Sequence, residues 1–504
     1  MPKVGASSYL TWDTRHPLSI QWRVTVKLRQ VTMESSTKIN RLHVVAMPYP
    51  GRGHINPMMN FCKLLITKFL VKDDIRVTFV VTEEWLGLLE SESRLPPQIQ
   101  LHSIPNVIPS ELGRGLDHSG FSEAVRTKME DPFEQFLDKL QQKDDPGVGV
   151  TAIIADTILA WAVSVGSRRS IPVVSLWPLS PTVFSIVYHI DLLKQNGHYP
   201  VDFSSDELID YIPGVSPIRL ADMPASLDLS RKRSFTIAEN VSAAPKAHCL
   251  LLTTYYELEP RVTKALMEIL PVPVYAIGPS IPLPTTLRDD HDRRNIISNV
   301  DTDEYYLKWL DAQPERSVLY VSFGSLLSAS SEQMEEILAG LFESGVIYLL
   351  VSPGGKESIN DNEMDKSRSL VVPWCNQLRV LCHSSVGGFW THCGWNSILE
   401  GVYAGVPMLT SPVGLDQFTS RALVVDCWKI GMNIIKEVGA EISVKREEVA
   451  LTVKNFMNSN GDNEESKLMM TRANELKKSC RQALAKGGSS TANLDDFIRN
   501  ILRN

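Results

Sequence analysis

At 504 residues, with 43% apolar and 22% charged side chains, the chain is long enough for two cores and has the composition of a globular protein rather than a disordered or fibrous one. The net charge of −7 is modest and spread along the chain; the one tight basic cluster, Arg231-Lys232-Arg233, is short and lacks interleaved aromatics, so it reads as a solvated loop and nucleic acid is not an expected partner. Seven cysteines, with no CxxC pair and no CxxC…HxxxH spacing, suggest neither a disulfide framework nor a zinc site, and no run of about 18 apolar residues is available to span a membrane.

The chain opens with a stretch rich in Lys and Arg whose first 32 residues hold a single acid, Asp13. It lacks the continuous apolar segment of a secretory signal. Residues 1–40 read as a disordered extension, transit-like or preceding an alternative start at Met33. From Leu42 the pattern turns α/β. LHVVAMP reads as a buried strand, PGRGHIN as a Gly-rich turn, and PMMNFCKLLITKFL as a helix with Pro57 in its first turn. RVTFVVT, TAIIAD, IPVVSLW, CLLLTTYYELEP and VYAIGP follow as strands with helical runs between them, the signature of a parallel sheet. These elements form a first domain, 41–279. Residues 280–303, proline-rich and then charged, read as a linker.

A second α/β series occupies 304–485, with SVLYVSFGS, VIYLLVS, SLVVPW, VGGFWT and VPMLTSP as strands and Ser330 with Gln333 as a capping box. A terminal helix, 486–504, is expected to pack back on the first domain. In such sheets ligands bind beyond the carboxyl ends of strands, here in a cleft between two facing domains. After VGGFW the chain reads HCGWNS, leading into a helix from about Asn396 to Ala404 that Gly405 stops. Its N-terminus suits a diphosphate: Gly394 removes a blocking Cβ, and His392, Asn396 and Ser397 supply donors, with Ser325 opposite. Glu400, on the face of Asn396, suits ribose hydroxyls. Taken singly, Asn396 or Ser397 reads equally as an N-cap, His392 as a loop histidine and Trp395 as a core aromatic.

The 44 residues from Trp374 to Gln417, WCNQLRVLCHSSVGGFWTHCGWNSILEGVYAGVPMLTSPVGLDQ, resemble the signature box of the plant UDP-dependent glycosyltransferases. PYPGRGHINPMMN and VTEEWLG resemble in particular the plant group 87 enzymes. The resemblance implies a GT-B fold of two Rossmann-like domains, a UDP-sugar co-substrate with no cofactor or metal, a small-molecule acceptor, and a monomeric cytoplasmic enzyme. It implies that Trp374, with Cys375 beside it, holds uracil and that Gln377 and Glu400 hold ribose. His392, Asn396, Ser397 and Ser325 bind diphosphate, the Trp395 backbone touches the sugar, and Asp416 and Gln417 bind its hydroxyls. A closing Gln accompanies glucose in this family.

The resemblance also makes His54 the general base and Asp156 its orienting carboxylate, a pairing suited to taking a proton from an acceptor hydroxyl. By its position alone, Asp156 equally suits a cap on the following helix. The implied reaction is an inverting O-glucosylation of a flavonoid, other phenolic, terpenoid or hormone; another UDP-sugar, or nucleotide-sugar binding without efficient transfer, stands as the alternative. Gly53, Trp85 and Phe184 are candidate acceptor-lining residues, with core packing an equal reading for the two aromatics. Two positions depart from the family pattern near the donor site: Leu350, where an aromatic is usual, and Gly414-Leu415 before the closing acid.

Overall fold

The computed structural model describes residues 41–69, 75–90, 95–114, 117–143, 149–228, 235–282, 304–324, 331–352, 367–434, 444–458 and 464–503. The 1–40 extension, most of the 280–303 linker, the Arg231-Lys232-Arg233 cluster, Ser325 and Ser330 lie outside the described residues.

The apolar runs form two parallel sheets. In the first half the strands are β1 (Leu42–Met47), β2 (Ile75–Thr82), β3 (Ile99–Ile104), β4 (Ala152–Asp156), β5 (Val173–Trp177), a short antiparallel hairpin of β6 (Leu208–Ile209) and β7 (Ile218–Arg219), then β8 (Cys249–Leu252) and β9 (Val274–Ala276). The sheet runs 3-2-1-4-5-8-9 and is parallel throughout. The second half contributes β10 (Val318–Ser322), β11 (Ile347–Val351), β12 (Ser369–Val372), β13 (Val386–Thr391), β14 (Met408–Thr410) and β15 (Gly431–Asn433), ordered 12-11-10-13-14-15 and also parallel. Continuous apolar runs suit strands covered on both faces: all six residues of β1 and of β13 are buried. The strand order reverses between β1 and β4 and again between β10 and β13. Each reversal opens a crevice at the strand ends where a ligand is received.

Local chemistry moves one predicted boundary. The helix after β1 begins at Arg52, not Pro57, and spans Arg52–Ile66, so His54 sits in its first turn. Gly51 caps it in an extended conformation, and a Cβ there would meet the buried Arg114 guanidinium, which donates to the Pro50 carbonyl. Pro57 has no N–H to offer the Gly53 carbonyl four residues back. That carbonyl instead accepts the side-chain Nδ2 of Asn396, 2.8 Å away in the second half.

The two halves meet again around Asp222. Its carboxylate pairs with the buried Arg421 guanidinium, Thr419 Oγ1 donates to its carbonyl at 2.8 Å, and the Ala225 N–H donates to Leu415 O at 2.8 Å. At the C-terminus the helix Ser489–Phe497 returns to the first sheet, where Phe497 meets Phe61 and Tyr275 and Asn493 Nδ2 donates to the Ala276 carbonyl. The Gln333 amide brackets the backbone of Val444 through both its oxygen and its nitrogen, while its expected capping-box partner Ser330 lies outside the described residues. Among the described residues no helix is long and apolar enough to cross a membrane.

Candidate active site

Residues from the ends of β1, β10 and β13 line one cleft of about 560 Å³ between the two halves. On the first-half wall, Asp156 is the last residue of β4, beside β1 in the sheet, and His54 lies just past the end of β1. His54 Nδ1 stands 2.7 Å from Asp156 Oδ2, while Asp156 Oδ1 accepts the Ile158 N–H at 2.9 Å. The helix that follows is Trp161–Arg169 with Ala160 at its cap, so Asp156 is not that helix's cap. A carboxylate can only accept, so Nδ1 carries the proton and Nε2 is left as the basic nitrogen. Tyr49 packs its ring 4.9 Å from that of His54 and supports its orientation.

On the opposite wall, the helix Trp395–Ala404 starts at Gly394, and no side chain caps it. Neither Asn396 nor Ser397 is used as a cap: Asn396 reaches Gly53, and Ser397 Oγ accepts from Gln377 Nε2 at 2.9 Å. Gln377 also donates to Glu400, and its oxygen accepts from the buried Tyr320 hydroxyl at 3.1 Å, which fixes the amide's orientation. Burial raises the Glu400 carboxyl to about 7, opposed by the Gln377 bond. Burial lowers His392 to about 4, so it is neutral near pH 7 and offers an N–H rather than a charge.

The His392 ring is sandwiched by glycine. A Cβ on Gly324 would fall 2.6 Å from its Nε2, and one on Gly394 2.4 Å. Gly324 also has φ of +78°. Gly324→Ala is therefore expected to lose about 1–3 kcal/mol of stability in chemical denaturation; an unchanged midpoint and slope would mean that His392 moves aside freely.

Trp374 is 64% exposed, unusual for an indole, and forms part of the cleft rim with the buried Cys375 next to it. Trp395 is the reverse: it lines the cleft too, but it is only 2% exposed and its ring lies 6.2 Å from that of Trp428. Asp416 and Gln417 open the helix Gln417–Ala422. Gln417 Oε1 accepts the Val413 and Gly414 N–H groups at 2.7 and 3.2 Å, and Asp416 Oδ2 is buried with no partner among the described residues. Burial raises the Asp416 carboxyl to about 6, with the neighbouring His54 opposing.

A second cavity of about 140 Å³ adjoins the first, and Tyr49, His54, Leu179, Leu415 and Asp416 line both. Among the described residues no group of three or more His, Cys, Asp or Glu is placed to hold a metal ion.

Comparison with known proteins decides the family. Residues 226–473 match the family described as UDP-glucoronosyl and UDP-glucosyl transferase. Over 460 aligned residues the chain is 47% identical to UDP-glycosyltransferase 87A2 and 45% identical to UDP-glycosyltransferase 87A1, both of Arabidopsis thaliana, covering 91% of this chain and 96% and 100% of those proteins. The chain belongs to the UDP-glycosyltransferases. A solved structure of Phytolacca americana UGT2, complexed with UDP-2-fluoro-glucose and pterostilbene, superposes with a TM-score of 0.74 at 27% identity, covering 92% of this chain and 99% of that one. The facing parallel-sheet halves are thus the GT-B architecture, and the chain is a UDP-sugar-dependent glycosyltransferase acting on a small-molecule acceptor.

For this glycosyltransferase, the structure gathers His54, Asp156, Gly53, Trp374, Cys375, Gln377, His392, Gly394, Trp395, Asn396, Ser397, Glu400, Asp416 and Gln417 in or against the cleft. Ser325 lies outside the described residues. Trp85 and Phe184 are corrected: Trp85 is 1% exposed in the core under the helix Arg52–Ile66, and Phe184 is fully buried edge-to-face against Trp177. Neither lines either cavity, because both follow strand ends on segments that turn inward to fill the core. Of the two departures, Leu350 is a core residue of β11, whereas Leu415 lines both cavities with a positive φ of 57°. Tyr49 and Tyr320 are the residues that sequence reasoning missed. Tyr49 stands five residues before His54, and Tyr320 is on β10, inward-facing toward Gln377.

Proposed function

We propose that the chain transfers glucose from UDP-glucose to a hydroxyl of a small, mostly apolar acceptor in one in-line displacement with inversion. The observation that carries the reading is His54, hydrogen-bonded to Asp156, standing where the two cavities join. An acceptor in the smaller cavity presents its hydroxyl to His54 Nε2, which takes the proton as the oxygen bonds to the anomeric carbon. The bond from that carbon to the diphosphate oxygen breaks, and UDP leaves with the electron pair. The uncapped amides at the start of Trp395–Ala404, with His392, Asn396 and Ser397, stabilise the charge on the departing diphosphate.

In this reading Trp374 stacks on uracil, and Gln377 and Glu400 bind ribose. Asp416 Oδ2 and the Gln417 amide nitrogen, freed because its oxygen is held by the loop backbone, take the sugar hydroxyls. Glucose is the proposed sugar because Gln417 closes the signature and because the related Phytolacca structure carries a fluoroglucose nucleotide. Seven free cysteines suit the reducing cytoplasm.

The test is mass spectrometry of the purified protein with UDP-glucose and a panel of phenols, terpenoid alcohols and hormones, followed by proton NMR of any product. A hexose adduct with a β anomeric coupling is the expected result. An α product would reject inversion, and transfer only from a different UDP-sugar would reject glucose.

A further inference from the structure

The smaller cavity carries polar groups that the transfer step does not use. Its volume is about 140 Å³, and an apolar cavity of about 150 Å³ takes a single benzene ring. Past the mouth shared with the cleft, its walls are mostly apolar, from Val125, Ile158, Val183 and Ile237. Four polar side chains line this cavity and not the larger cleft: Ser122, whose Oγ lies 3.3 Å from the Tyr49 hydroxyl, Arg126, Ser226 and Asn240. Ser226 Oγ is buried with no partner among the described residues. Asn240 stands mid-helix in Phe235–Ala243 and is 4% exposed.

Buried hydroxyls are normally paired, so the unpaired Ser226 Oγ, with Asn240 lining the same cavity, marks where the ligand's own polar group belongs. Arg126 also lines the cavity, but its guanidinium is engaged by both oxygens of Glu123 at 2.7 and 3.0 Å. Its charge is already matched, which disfavours an anionic acceptor.

Resting on the transferase reading above, we propose that the acceptor is an uncharged, one-ring molecule with two hydrogen-bonding ends. One end is the hydroxyl that meets His54. The other is an ether, carbonyl or hydroxyl oxygen that accepts from Ser226 Oγ and the Asn240 amide. Bond changes at the first end are those already given: oxygen to anomeric carbon forms, anomeric carbon to UDP breaks, and His54 Nε2 receives the proton. Ser226 and Asn240 are specificity residues that touch only the far end of the acceptor.

The experiment compares 4-methoxyphenol with 4-ethylphenol, matched in size and each with one hydroxyl, in wild type and in Ser226→Ala and Asn240→Leu, with UDP-glucose as donor. Wild type is expected to favour the methoxy compound by about tenfold in kcat/KM, and each variant should move that ratio towards one. Because the ratio is taken on a single preparation, partial misfolding of a variant cancels. A ratio near one in wild type, or one that neither variant changes, overturns the proposal and leaves the transferase reading standing. Failure of both phenols while other panel compounds are glucosylated does the same. Failure of every compound overturns the transferase reading together with the proposal.

Discussion

Replacing His54 with alanine should lower kcat by about 10²–10⁴-fold, with affinity for UDP kept within about twofold because the residues proposed to hold uridine and diphosphate stand on the opposite wall. Asp156→Asn should be nearly as damaging, and the geometry says why. Asp156 Oδ1 already accepts the Ile158 N–H, so an asparagine keeps its oxygen there and turns its NH₂ toward His54 Nδ1. Nδ1 must then accept, the proton moves to Nε2, and the nitrogen that should take the acceptor proton no longer has a free lone pair. Steady-state kinetics with any acceptor found active, alongside calorimetric titration with UDP, separates the readings. If UDP affinity collapses in His54→Ala, the residue supports the Gly53–Asn396 contact beside it rather than the chemistry. If Asp156→Asn retains wild-type kcat, the tautomer argument fails.

How much of this was legible beforehand depended on whether the signal was local. Strands such as LHVVAM and VGGFWT are buried on both faces, so their unbroken apolar runs identify them directly. β3, reading IQLHSI, escaped because it sits at the sheet edge and alternates apolar with polar residues, and β15 escaped because it is three residues long and begins with Gly431. The helix start at Arg52 was misplaced for a long-range reason: glycine and proline spell a turn, yet Asn396, more than 300 positions away, satisfies the carbonyl that Pro57 leaves open. The cleft wall proposed to hold the donor was readable because one contiguous stretch, Trp374 to Gln417, builds most of it. The wall proposed to take the acceptor draws on Tyr49, Val125, Ile158, Val183, Ala225 and Asn240, scattered over the first half, and no spacing in the sequence connects them. Trp85 and Phe184 were attractive as aromatics after strand ends, but large apolar side chains find the core unless something holds them out.

Glu400→Gln should weaken UDP-glucose binding by about 1.5–3 kcal/mol, the worth of hydrogen bonds to a charged group, and should at the same time stabilise the free protein above neutral pH. The second effect follows from burial. The native carboxyl is raised to about 7 from the ordinary 4.5, so between those values the folded chain binds more protons than the unfolded one. Stability contributed at this position therefore falls as pH rises through that window, and the full penalty of an ionised, desolvated carboxylate is present above it. Glutamine keeps an oxygen for the Gln377 amide and removes the charge. The variant's advantage in thermal unfolding should be largest near pH 8 and should shrink as pH falls towards 4.5, where the wild-type carboxyl is protonated in the folded state and half protonated in the unfolded one. Calorimetric titration with UDP-glucose and melting curves across pH test the two halves separately. Unchanged donor affinity would remove Glu400 from the ribose site, and a stability difference independent of pH would mean that packing, not a buried charge, governs the position. Both effects together would identify Glu400 as a residue kept at the expense of stability because ribose recognition needs its charge.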